Sequence, residues 1–218
     1  MIRTDFRLDV RIYNNQKIFQ RSQTQPLIAF RAVFWYSKAM AFPKDILLID
    51  FETTGYDPIE SDPIQIGAVL LDKETLEEKD SFTSFIYSDL SKLPLDLIQK
   101  WHIPDSQIKP APKQAEVMGQ MLNKFGTDVI LSSWVQNLDK VMLNKLLLSA
   151  GKDVNIFDYH ILDLWPIAYI YLLKKGYNGR LDSDSMFTEF GIPLRGEGHD
   201  ALADCRIEAE ILRKIYFE

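Results

Sequence analysis

Cysteine occurs once in the 218 residues, at Cys205. That excludes an internal disulfide and suits a reducing compartment, so a cytoplasmic protein is expected. Histidine is scarce as well, with three residues, and no Cys/His cluster of the kind zinc requires is present. No apolar run reaches the roughly 18–20 residues that a helix needs to span a bilayer, so no membrane partner is expected. Internal repeats and low-complexity tracts are absent. What is present, 46% hydrophobic and 26% charged residues, is the composition of a soluble globular domain with a full core, with room for a short extension.

The net charge of −6 hides an asymmetry. Residues 1–39 hold seven basic and two acidic side chains, a balance of +5, which leaves −11 on the remainder. An acidic body argues against clamping long duplex nucleic acid, which relies on many Lys and Arg contacts to phosphate. It permits a short single strand held at one end, above all where bound cations supply the positive field. Residues 1–40 read as an amino-terminal extension with three interpretations: a packed segment built on the apolar run Leu27 to Tyr36, a basic targeting arm, or sequence upstream of a start at Met40. Residues 41–218 form the main domain.

The main domain opens on Ile46-Leu47-Leu48-Ile49-Asp50-Phe51-Glu52, followed by Thr53-Thr54-Gly55. The apolar run predicts a central strand covered on both faces. Ile64 to Leu71 predicts a second strand, Asp72 to Thr75 a hairpin turn and Ser81 to Tyr87 a third strand, together an antiparallel meander. Helices are expected over 94–100 and 112–125, a fourth strand over 128–134 and a helix over 137–150. A fifth strand over 155–159 and helices over 161–175, 182–190 and 200–215 complete the pattern. The fold class is α/β, a mixed five-stranded sheet flanked by helices.

Four carboxylates sit where apolar side chains would be expected. Asp50 and Glu52 lie two apart on a strand and share one face. Asp139 falls on the stripe Asp139, Met142, Leu143, Leu146 of one helix, and Asp204 on the stripe Asp204, Ile207, Ile211, Ile215 of the last. A single inward aspartate is more often a cap or a hydrogen-bonded core residue than a ligand. Several together repel unless a cation sits between them. Oxygen donors without a Cys/His cluster point to Mg²⁺ or Mn²⁺ in preference to zinc. His199 precedes Asp204 by five residues; it is either a surface or capping residue or a proton acceptor beside a cation site.

The segments Asp50-Phe51-Glu52-Thr53-Thr54-Gly55, Leu138-Asp139-Lys140 and His199-Asp200-Ala201-Leu202-Ala203-Asp204 resemble the three motifs of the DEDDh 3′–5′ exonucleases. The resemblance covers about residues 45–216. It implies an RNase H-like fold and release of nucleoside 5′-monophosphates from the 3′ end of single-stranded or frayed RNA or DNA. It also implies two Mg²⁺ or Mn²⁺ ions held by Asp50, Glu52, Asp139 and Asp204, with His199 as general base. Phe51, Thr53 and Thr54 would contact the terminal nucleotide. Many relatives dimerise, so a homodimer is among the implied assemblies. Where many relatives have His-Asn ahead of the second motif, this chain has Trp134-Val135. Ser132-Ser133-Trp134 is closer to the ERI-like members, which leans toward RNA, and Trp134 is read as core first and as a base-stacking platform second. The alternative function is a catalytically silent nucleic-acid-binding or scaffold domain of the same fold.

Overall fold

The computed structural model describes residues 41–55, 57–89, 105–193 and 199–218, all within the unit Ala41–Glu218. The helix expected over 94–100 lies outside them. Five strands form one sheet: β1 (Ile46–Thr53), β2 (Pro63–Leu71), β3 (Glu78–Phe85), β4 (Ile130–Ser133) and β5 (Leu162–Asp163). Their order is β3-β2-β1-β4-β5. The β1–β2 and β2–β3 pairs are antiparallel, and β1–β4 and β4–β5 are parallel. The described helices are α1 (Asp105–Ile108), α2 (Gln114–Phe125), α3 (Gln136–Ser149), α4 (Leu164–Lys174), α5 (Ser183–Glu189) and α6 (Ala201–Phe217). None of them is long and apolar enough to cross a membrane.

β1 is apolar at successive positions because both of its faces are covered. Ile46 and Leu48 point into a core shared with Leu164 and Ala168 of α4, Phe187 of α5, and Ile211 and Leu212 of α6. Leu47, Ile49 and Phe51 point the other way, onto Val117 and Met121 of α2 and Met142, Leu143 and Leu146 of α3. Each fully buried aliphatic side chain contributes about 1.5–3 kcal/mol, so the sheet is held from both sides. Asp50 and Glu52 continue the face of Ile46 and Leu48, which α6 packs over.

Three expectations need correction. The fifth strand is Leu162–Asp163, paired with Ser132 and Ser133 of β4, and 155–159 is not a strand. There the Asp153 carboxylate accepts the Asn155 N–H and the Asp158 carboxylate accepts the His160 N–H, each at 2.9 Å. These side-chain turns displace a ladder, while Phe157 alone inserts into the core. The third strand begins earlier, at Glu78, because the hairpin that follows β2 brings Glu78 opposite Leu71. On α6 the buried stripe is Ala201, Asp204, Cys205, Glu208, Ala209, Ile211 and Leu212. Ile207 and Ile215 are only half-buried.

Candidate active site

β1 carries Asp50 and Glu52 to its carboxyl end, where the pairing with β2 shifts between Glu52 and Thr53. The loop beyond is closed on itself. The Thr53 hydroxyl donates to the Gly55 carbonyl at 2.6 Å, and the Thr54 hydroxyl accepts the Asp62 N–H at 2.8 Å. Lys145 of α3 donates to the carbonyls of Ile59 and Ser61, which ties this loop to the helix that bears Asp139. Phe51 is buried with its ring in the α2–α3 core, so only its backbone faces the site.

Asp139 lies in the first turn of α3 and is 1% exposed. Val135, the residue capping that helix, offers no side-chain bond; the Asp139 carboxylate reaches back to accept its N–H at 3.3 Å. Burial raises the Asp139 carboxyl well above the ordinary aspartate range, and the charge of Asp50 pushes it further the same way. Hydrogen bonds from Val135, Ser133 and the Phe51 backbone pull against that rise without cancelling it. The charge of Asp50 thus bears on Asp139, although α3 and α6 cover opposite faces of the sheet.

α6 supplies the remaining groups. Asp200 caps it by accepting the Ala203 N–H at 2.9 Å, and Asp204 follows in the first turn, 4% exposed. His199 stands immediately before the cap. Its Nδ1 lies 3.6 Å from Asp204 Oδ2 and 3.9 Å from Glu52 Oε1, and about a third of its side chain is exposed. Glu52, His199 and Asp204 each offer a ligand atom, and these atoms lie within 4.8 Å of one another. Oxygen-rich donors of this kind suit a hard divalent cation, which relieves the repulsion among them.

Of the expected residues, then, the fold brings Glu52, His199 and Asp204 into one group and sets Asp139 within reach of the charge of Asp50. Ser132, Ser133 and Trp134 turn inward. The Ser132 hydroxyl donates to the Leu162 carbonyl, and Trp134 is buried with its indole N–H on the Ser183 hydroxyl at 3.0 Å. Trp134 is thus core, and is not exposed for base stacking. One acid escaped the sequence reading: Glu208, one turn beyond Asp204 and 1% exposed. Its signal lay in the spacing of Ala201, Cys205, Glu208 and Leu212, a helical stripe with one carboxylate in it. Cys205 is fully buried beside these acids, and burial first, then the charges of Glu208, Asp50, Asp139 and Asp204, hold its thiol protonated.

Residues 47–212 match the family model of the RNase T exonucleases. The chain belongs to that exonuclease family. It is 27% identical over 175 residues to the PolC-type DNA polymerase III of Clostridium perfringens, a match that spans 79% of this chain and 11% of the polymerase. Among solved structures the exonuclease resembles E. coli exonuclease I in complex with a dT13 oligonucleotide, at a TM-score of 0.66 and 16% identity over 79% of this chain and 41% of that one. It also resembles the nuclease domain of 3′hExo, a DEDDh family member bound to rAMP, at a TM-score of 0.66 and 22% identity over 81% of this chain and 94% of the other. The exonuclease thus spans a small part of the polymerase and under half of exonuclease I. At these identities the solved structures establish the fold.

Proposed function

We propose that this exonuclease, with Ala41–Glu218 as its catalytic domain, removes nucleotides one at a time from the 3′ end of single-stranded or frayed nucleic acid. The observation that carries the reading is the convergence of Glu52, His199 and Asp204 within 4.8 Å, with the charge of Asp50 acting on the buried Asp139. The donor set fits Mg²⁺ or Mn²⁺: carboxylate oxygens predominate, and the most buried of them, Asp139, has its carboxyl raised by burial, which a nearby cation would offset. Asp50, Glu52, Asp139 and Asp204 would hold two such ions. When bound, paired cations would stabilise the charge that develops on the entering and leaving oxygens of an in-line displacement.

The chain's own groups account for the rest. His199 presents Nδ1 to the acids and keeps part of its ring open to water, which supports a role in which the imidazole would take the proton of the attacking water. The water oxygen forms the new bond to phosphorus as the bond from phosphorus to the 3′ oxygen breaks. The leaving oxygen takes a proton from solvent, giving a nucleoside 5′-monophosphate and a shortened strand. Phe51 through its backbone, with Thr53 and Thr54 in the braced loop, would position the terminal nucleotide. Exonuclease I is seen with dT13 and 3′hExo with rAMP, so either sugar is a reasonable substrate for this fold. The single buried thiol of Cys205 suits a reducing compartment, and we place the enzyme in the cytoplasm.

The test is degradation of 5′-labelled single-stranded RNA and DNA of one sequence with Mg²⁺, Mn²⁺ or a chelator. A ladder that shortens from the 3′ end, and stops with chelator, supports the reading. Intact substrate under all conditions, from protein shown to bind Mn²⁺, would replace catalysis with simple binding.

A further inference from the structure

The position of α6 relative to β1 decides whether His199 and Asp204 meet Glu52, and β2 holds the groups that set that position. In the β1–β2 register, Glu52 faces Gln65 and Asp50 faces Gly67. Gln65 and Gly67 therefore lie on the same face as the two acids, one strand over. Both are occupied by the amino end of α6. The Gln65 amide donates to Asp200 Oδ2 at 3.0 Å, and its carbonyl oxygen accepts the Ala201 N–H at 3.4 Å. The Ala201 N–H can only donate, so the orientation of the amide is fixed by its partners. At Gly67 there is no side chain to hold the helix off. A Cβ there would come within 2.3 Å of the Ala201 carbonyl and 2.4 Å of the Leu202 nitrogen.

We infer that Gln65 is a positioning residue for the active site, which docks the start of α6 on β2 and thereby sets His199 and Asp204 against Glu52. Gln65 is buried and acts through Asp200, which lies between His199 and Asp204 in sequence. Asp200 is engaged on both oxygens by the arrangement. One of them caps α6 through the Ala203 N–H and the other accepts from Gln65. Gly67 sets how closely the helix approaches, and Gln65 sets where along β2 it begins. A displacement of about 1 Å at a reacting group lowers rate by up to about 100-fold, so a shift of this helix start is read in turnover.

The inference rests on the exonuclease reading for its kinetic part, and its structural part is read separately. Gln65→Glu places a carboxylate against Asp200, and Asp200→Asn lacks the second acceptor. Each single variant therefore loses the dock. The double variant Q65E/D200N restores it with the net charge unchanged. Its amide at position 200 donates to the new carboxylate at position 65 and still accepts the Ala203 N–H, while that carboxylate accepts the Ala201 N–H. Two readouts decide: hydrogen exchange of the amides of residues 201–205, and kcat and KM on a 5′-labelled oligonucleotide. In each single variant these amides should exchange faster, with protection of β1 unchanged. The same variants should lose about 10–100-fold in kcat with KM within about threefold. The double variant should recover both. Recovery of amide protection without recovery of kcat would overturn the positioning role, as would single variants that turn over like the wild type. A wild type inactive on every substrate would defeat the exonuclease reading. The exchange pattern would then still decide whether Gln65 docks the helix.

Discussion

Asp50 and Asp139 come from elements that share no sequence neighbourhood, yet the charge of Asp50 is the second largest influence holding a proton on Asp139, after burial itself. Burial and a neighbouring negative charge both favour the neutral form of a carboxyl, and Asp139 has both. A buried carboxyl raised in this way costs the folded state stability wherever it ionises.

That cost should be visible in the metal-free protein. A carboxyl whose folded value lies above its unfolded one makes the folded state bind more protons between the two. Stability then falls as pH rises from the ordinary aspartate range to the raised value of Asp139. The melting temperature of chelated protein should decline across that window, and Asp139→Asn should flatten the decline. Equal slopes in the two proteins would remove Asp139 from the account.

His199→Ala should lower kcat by about 10²–10⁴-fold, the usual size of a general-base contribution, with Mn²⁺ affinity within a few-fold of the wild type by calorimetry. Loss of the metal along with activity would make His199 a ligand instead. The Nδ1 distances of 3.6 and 3.9 Å to Asp204 and Glu52 are compatible with either role, and that measurement separates them.

Gly67→Ala should destabilise the fold by about 1–3 kcal/mol, as overpacking against backbone does, because the Ala201 carbonyl cannot move aside as a flexible side chain would. Urea unfolding gives the value, and the loss of activity should exceed what the unfolded fraction explains. A neutral Gly67→Ala would mean that α6 sits farther from β2 in solution.

Lys145→Ala removes the two bonds from α3 to the carbonyls of Ile59 and Ser61. Loosening this loop by about 1 kcal/mol corresponds to roughly a fivefold rise in KM for a single strand. Chemistry should be less affected, since the bonds of Lys145 go to the loop backbone. A fall in kcat with KM unchanged would show that the loop orders the reacting groups rather than the nucleotide.

The sequence by itself determined the buried central strand, the meander and the inward faces on which Asp50, Glu52, Asp139 and Asp204 lie. Those features follow from local rules: apolar continuity for a strand covered on both faces, two-residue alternation for Asp50 and Glu52, and helical spacing for Asp139. It placed the fifth strand wrongly, because Asp153 and Asp158 bond their own backbone and a hydrophobic count does not register that competition. It also missed Glu208, since the stripe on α6 is rotated from the one that the isoleucines suggested. Only the tertiary structure decided that α6 lies across β2, where Gln65 and Gly67 face the two acids of β1. Register between strands and the depth at which a helix packs depend on contacts between residues some 135 positions apart, and no local pattern encodes them.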